Sequence, residues 1–191
     1  NKKGELVCVN PFPSMPLKFW NDKNNKKFEN AYFIKFKNIW YHGDYAKITN
    51  KNGFIISGRS DTTLNPGGVR LGTAEIYSEI ERFDEIKESL VVGQSWDNDI
   101  RIILFVILNL KFELTEDLIT RMKLQIRKNA SPRHVPNKII QVNDIPRTKL
   151  SGKIVELAVK NIIEGNKIKN KEALANPQAL NEYISIKELK Y

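Results

Sequence analysis

Apolar and polar residues change rhythm partway along this chain. In the first 60 positions the rhythm is short and alternating. Gly4 to Val9 (GELVCV) alternates as a strand does and runs into the proline-rich loop Pro11 to Pro16. Lys18 to Lys27 is polar and irregular, which predicts a loop with Trp20 folded back onto a core, and Phe28 to Phe36 predicts a short helix. Tyr45 to Thr49 alternates again, and the turn Asn50-Lys51-Asn52-Gly53 returns it as Phe54 to Ser57, a hairpin.

Beyond Asp61 helical and strand periods take turns. Ile76, Ile80 and Phe83 recur at helical spacing after Thr73 and Glu75, which read as a cap and an acidic first turn. Ser89 to Val92 predicts a strand, and the turn Asp97-Asn98-Asp99 leads into Ile100 to Leu108, apolar enough for a strand covered on both faces. Thr115 caps a predicted helix that runs to Asn129 and stops at Ser131-Pro132. Lys138 to Val142 is the next strand. The loop IPRTKLSG then precedes an amphipathic helix, Ile154 to Glu164, closed by Gly165. The polar tail has one short helix near Gln178 to Tyr183.

This order predicts an α+β fold: a small domain over residues 61–191 with a short mixed sheet covered by helices. Residues 1–60 cannot bury a respectable core alone and read as the β-rich trailing end of a larger domain, so the chain is expected to be a fragment. No apolar run approaches the roughly 18 residues of a membrane helix, and the first residues hold no signal-peptide pattern. A single cysteine, Cys8, excludes an internal disulfide framework and fits a reducing, cytoplasmic compartment; its alternating run predicts a small buried apolar residue. The net charge of +9 changes the picture little, because Lys, Asn and Ile make up about a third of the 191 residues and the lysines are scattered. That favours a solvated basic surface over a nucleic-acid footprint, and leaves a positive potential suited to polyanionic substrates.

Candidate chemistry gathers between Gly58 and Tyr77 (GRSDTTLNPGGVRLGTAEIY). Arg59 can fork two hydrogen bonds onto a diol or a phosphate. Asn65-Pro66-Gly67-Gly68 has the chemistry of a tight turn between two short strands, and Gly67 and Gly68 let another molecule lie against the backbone. Arg70 follows at once. Upstream, Asp44 closes the run Trp-Tyr-His-Gly-Asp, where a carboxylate can accept both hydroxyl protons of a ribose. Taken alone, Gly43-Asp44 reads first as loop geometry, and each arginine as a surface residue. Lys153 stands in a glycine loop at a helix start, suited to stabilising developing negative charge rather than to proton transfer. The loop is not a Walker motif, since no glycine stands at the required spacing. His42 and His134, without a cysteine partner, give no metal-site spacing, and His134 is assigned no chemistry.

In their order and spacing these segments resemble the adenylate-forming superfamily of acyl-CoA synthetases, luciferases and peptide-synthetase adenylation domains. The resemblance implies that Asp44 and Arg59 grip the ribose of ATP or AMP, and that Arg70 meets the ATP phosphates. It implies that Asp61 is the hinge about which the small domain swings, and that Lys153 contacts the α-phosphate and carboxylate as the acyl-adenylate forms. Coenzyme A would lie along Gly67 and Gly68, with Arg127 near it; a helix-surface arginine is an equal reading of Arg127. Mg2+ would arrive with ATP. Two departures stand out. His42 occupies a position usually held by threonine, and the loop before Lys153 carries one extra residue, at Lys149 or Leu150.

Several segments resemble one branch more narrowly, the acetoacetyl-CoA synthetases: PFPSMPLKFWND, YHGDYAKI, TLNPGGVRLGTAEIY, NASPRHVP, GKIVELAVKNII and the tail. The implied reaction joins acetoacetate, ATP and coenzyme A into acetoacetyl-CoA, AMP and pyrophosphate. The phosphate-binding loop and acyl pocket are expected upstream of Asn1, in an N-terminal domain of the same polypeptide. A sister enzyme using acetate, propionate or another short acid stays open, as does a non-catalytic basic binding module.

Overall fold

The computed structural model describes residues 3–60, 64–168 and 171–190. The chain divides into two units, Asn1–Asp61 and Thr62–Tyr191.

In the first unit β2 (Trp40–Ile48) is the middle strand, antiparallel to β1 (Lys3–Cys8) on one side and to β3 (Phe54–Arg59) on the other. The β2–β3 turn closes because Thr49 N–H donates to Gly53 O (2.8 Å), while Asn52 takes the left-handed conformation that asparagine tolerates (φ 57°). One helix, α1 (Lys26–Tyr32), packs beside the sheet; it starts and ends before the span that hydrophobicity suggested. Phe12, Phe28, Tyr32 and Phe33 close around Trp40, with Tyr32 stacked on it at 3.7 Å between ring centroids.

Two expectations fail here. Trp20 is 92% exposed. Its neighbour Phe19 is the residue that turns inward, onto Phe28 and Tyr32, and Asn21 then reverses the chain at φ 53°. Cys8, at the end of β1, is exposed rather than buried. Trp40 is the one buried large apolar side chain in the described part of this unit, while Ile48, Phe54, Ile55 and Ile56 remain exposed.

The second unit is a mixed three-stranded sheet between two helical layers. β4 (Ile86–Trp96) and β5 (Asp99–Leu108) form an antiparallel hairpin whose turn residues, Asp97 and Asn98, both have positive φ (48° and 58°). That conformation matches the twist of paired strands. β6 (Lys138–Gln141) adds parallel to β5. Strand periodicity sorts the side chains of β5. Ile102, Leu104 and Val106 enter one core with Ile76 and Ile80 of α2 (Thr73–Ile80) and Leu118, Met122 and Ile126 of α3 (Glu116–Asn129). Ile103 and Phe105 enter the other core with Ala158 and Val159 of α4 (Glu156–Ile163) and Leu180 and Tyr183 of α5 (Leu180–Ser185).

Thr115 does cap α3, its side chain accepting from Leu118 N–H at 3.2 Å. Thr73 does not cap α2: Gly72 is the cap residue, and no side-chain oxygen takes the free N–H groups. Thr73 is already helical and buried. The tail also differs from its polar appearance, because Leu174, Leu180, Tyr183 and Leu189 all bury in the second core. Their spacing follows no single helical or strand period, so pattern alone could not reveal them.

Candidate functional site

Asp44 and Arg59 are direct cross-strand partners on β2 and β3. Antiparallel pairing therefore brings together two residues that the sequence separates, and a register shift between Asp44 and Ala46 bends β2 at this point. Gly43 lets the Arg59 guanidinium lie close to the strand. At φ 88°, a side chain there would meet the Arg59 guanidinium at 2.9 Å from Nη2, so the arginine lies directly over the glycine. His42, two residues before Asp44 and on the same face of β2, sets its Nδ1 against Asp44 Oδ2. Behind them Ser60 N–H donates to Gly43 O at 2.8 Å and Tyr41 shares a hydrogen bond with Ser60 Oγ at 2.5 Å. The result is a carboxylate and a guanidinium on one short ribbon.

In the second unit Leu64 and Leu71 form a two-way bridge, and Pro66–Gly68 makes the turn between them. Gly67 and Gly68 both need positive φ (58° and 74°), and the space where a Gly68 side chain would project is open. Arg70 is exposed immediately after this turn. Two residues that motif reading passed over define its surroundings. The Asp99 carboxylate accepts Gly67 N–H, with both oxygens at 2.9 Å. Backbone N–H groups of Ile100 and Gly67 hold that carboxyl below its usual range. The guanidinium of Arg133 comes within 3.4 Å of where a Gly67 Cβ would stand.

Arg127 is exposed in the last turn of α3, and Arg133, from the segment after that helix, approaches the glycine turn. His134 is buried and joins two elements, sharing a hydrogen bond with Ser131 Oγ at 2.8 Å and facing Glu75 Oε2 of α2 at 2.6 Å.

Lys153 lies on a different loop, between β6 and α4. Arg147 and Ile154 bridge across its base, Thr148 N–H donates to Lys153 O at 2.9 Å, and Gly152 turns the chain at φ 64°. Thr148 Oγ1 accepts Lys153 N–H at 3.2 Å and shares a hydrogen bond with Ser151 Oγ at 2.8 Å. Lys149 and Leu150 form the tip, and Leu150 is fully exposed. The Lys153 ammonium is exposed and pairs with no side chain among the described residues.

Asp61, the expected hinge, lies outside the described residues. Among the described residues no group of three or more His, Cys, Asp or Glu is placed to hold a metal ion, and no helix is long and apolar enough to cross a membrane.

No family model matches the chain. Sequence and fold nonetheless agree on its relatives. Along the length given, the chain is similar to acyl-CoA synthetases. Within that class its similarity is to acetoacetyl-CoA synthetases. It is 58% identical over 99% of its length to the acetoacetyl-coenzyme A synthetase of Rhizobium meliloti (strain 1021), and 50% identical over 98% to the acetoacetyl-CoA synthetase of Xenopus tropicalis. The solved acetoacetyl-CoA synthetase from Streptomyces lividans superposes over 97% of the chain with a TM-score of 0.88 at 41% identity. The chain spans 29%, 28% and 28% of those three proteins, so it corresponds to a part of each.

Proposed function

We propose that this chain works as part of an ATP-dependent ligase that converts acetoacetate, ATP and coenzyme A into acetoacetyl-CoA, AMP and pyrophosphate through an acetoacetyl-adenylate. The observation that carries this reading is the 58% identity, over 99% of the chain, to an acetoacetyl-coenzyme A synthetase. The phosphate-binding loop and acyl pocket belong to a larger adenylate-forming domain in the same polypeptide, of which residues 1–60 are the β-rich trailing end. Residues 61–191 form the mobile domain, swinging about Asp61.

The chemistry follows from the residue types. Asp44 accepts the ribose hydroxyl protons, with His42 orienting its carboxylate, and Arg59 donates to the same sugar. In one domain pose Lys153 approaches the α-phosphate and the acetoacetate carboxylate. There its fixed positive charge stabilises the negative charge that develops as pyrophosphate leaves. Mg2+ enters on ATP and neutralises its phosphates, and Arg70 adds a charge to the same group. In the other pose the Gly67-Gly68 backbone admits the pantetheine arm, Arg127 lies near the coenzyme, and the thiol displaces AMP. The setting is the cytoplasm, where these soluble substrates occur.

The test is acid-dependent AMP formation by a full-length polypeptide carrying this chain, with acetoacetate, acetate, propionate and butyrate compared under saturating ATP and coenzyme A. Acetoacetate should have the highest kcat/KM. Preference for another acid would reassign the substrate, and no acid-dependent AMP would overturn the ligase reading.

A further inference from the structure

The loop that carries Lys153 is held by a side chain at its opening. Arg147 opens the loop and reaches in two directions. Its Nη1 donates to Gly152 O at 2.9 Å, the carbonyl of the peptide that leads into Lys153. Its Nη2 meets Glu88 Oε2 on β4. The backbone of Arg147 is tied as well: its N–H donates to Asn176 Oδ1 at 2.8 Å, and its carbonyl accepts Ala175 N–H at 2.8 Å. Asn176 is itself held by Asp144 Oδ2 at 2.7 Å and Ile145 O at 2.9 Å. Through Arg147 the turn is thus fastened to the central sheet on one side and to the tail segment on the other.

We infer that Arg147, oriented by Glu88, is a positioning residue that presents Lys153 for the adenylation step, an inference that rests on the ligase reading above. The geometry explains why such a clamp is needed. Gly152 sits in a left-handed conformation with open space around it, so the peptide before Lys153 has little side-chain packing to steady it. The side chains of the tip residues Lys149 and Leu150 are exposed, and the tip is tied to the tail through its backbone, with Lys149 N–H donating to Ala173 O at 3.0 Å. A fork-shaped guanidinium can hold a carbonyl and a carboxylate at once, and a lysine at 147 could hold only one of them well. Glu88 is the fixed end of this arrangement because β4 pairs with β5 along nearly its whole length.

The clamp acts on one half-reaction. Pyrophosphate exchange into ATP depends on where Lys153 stands, whereas thioester formation from supplied acetoacetyl-adenylate does not use it. In the full-length enzyme, Arg147→Ala should therefore lower kcat for acetoacetate-dependent pyrophosphate exchange by about tenfold to a hundredfold, the range expected for a displacement near 1 Å. KM for ATP should hardly change, and the thioester half-reaction of the same preparation should stay within about twofold of the parent. Glu88→Ala should give a smaller loss in the same direction, and Arg147→Lys should restore part of what Arg147→Ala removes.

Lys153→Ala, run in parallel, separates this inference from the reading beneath it. If Lys153→Ala abolishes exchange while Arg147→Ala and Glu88→Ala leave it intact, the clamp is refuted and the ligase reading stands. If Lys153→Ala itself leaves exchange intact, both are wrong. Equal loss of both half-reactions in Arg147→Ala, without rescue by Arg147→Lys, would make Arg147 a residue of general stability and refute the clamp as well.

Discussion

Gly43 shows how one missing side chain can set the position of another. The Arg59 guanidinium occupies the space a Cβ would need, 2.9 Å from Nη2, and the backbone there has φ 88°. Gly43→Ala should push Arg59 off the proposed ribose site and strain the bend in β2, at a cost of roughly 1–2 kcal/mol in the backbone alone. We expect KM for ATP in pyrophosphate exchange to rise about tenfold or more, as losing a charge-assisted hydrogen bond of roughly 1.5–3 kcal/mol would give. An unchanged KM would show that Arg59 does not read the nucleotide. At this scale the sequence was legible wherever the signal is local. Gly67-Gly68 and Gly152-Lys153 each announce a tight turn beside a charge, whereas Gly43-Asp44, also readable as a turn, lies inside β2 beside a register shift. Asp99, Arg133, Glu88 and Arg147 were not legible as partners, because they work across the fold: Gly67 and Asp99 lie 32 residues apart, and Glu88 and Arg147 lie 59 apart. A residue whose role is to hold a distant loop leaves no spacing to read.

Among the elements, β4 is an edge strand of its sheet, and Tyr77 of α2 closes part of that edge. Its hydroxyl accepts Val91 N–H at 2.9 Å and donates to Glu156 Oε1 at 2.5 Å, while burial, and after it the Glu156 charge, pushes the phenol well above its usual range. Tyr77→Phe should destabilise the domain by about 1–3 kcal/mol by leaving a buried N–H unpaired. A urea midpoint equal to that of the parent would contradict this. The glycine turn offers a pH test. Asp99 has a lowered pKa in the folded chain, so its contribution is present above the unfolded value near pH 4 and disappears as pH falls through the folded one. Asp99→Asn should therefore flatten the acid limb of the stability profile, and an unaltered limb would remove Asp99 from the account. Gly68→Asn belongs here too, since asparagine tolerates positive φ while adding bulk in the open space beside Gly68. It should slow the thioester half-reaction and spare adenylation; loss of both would mark Gly68 as a turn residue only. Elements with strong local signals were read well, such as α3 with its Thr115 cap and the apolar β5. Trp20, Cys8 and the Thr73 cap were misread because which of two adjacent residues turns inward depends on the packing partner.

The chain divides into two units, and among the described residues the extended cores lie in Thr62–Tyr191. The sequence shows a change of rhythm at Asp61, whereas the burial of the tail was not legible, since its apolar residues are few and irregularly spaced. On the proposed reading the two units must reorient between steps. Asp61→Pro, which fixes φ, should leave one half-reaction near normal and remove the other; mild equal loss would place the hinge elsewhere. The central claim is that Lys153 stabilises the charge developing in adenylation and takes no part in thioester formation. Its most direct test is both half-reactions measured on Lys153→Ala in a full-length polypeptide carrying this chain. The account expects acetoacetate-dependent pyrophosphate exchange to fall by at least about a hundred- to a thousandfold, the effect of removing one donor to a developing charge, while acetoacetyl-CoA still forms from supplied acetoacetyl-adenylate at close to the parent rate. Exchange that persists, or thioester formation that falls by the same factor, would contradict it.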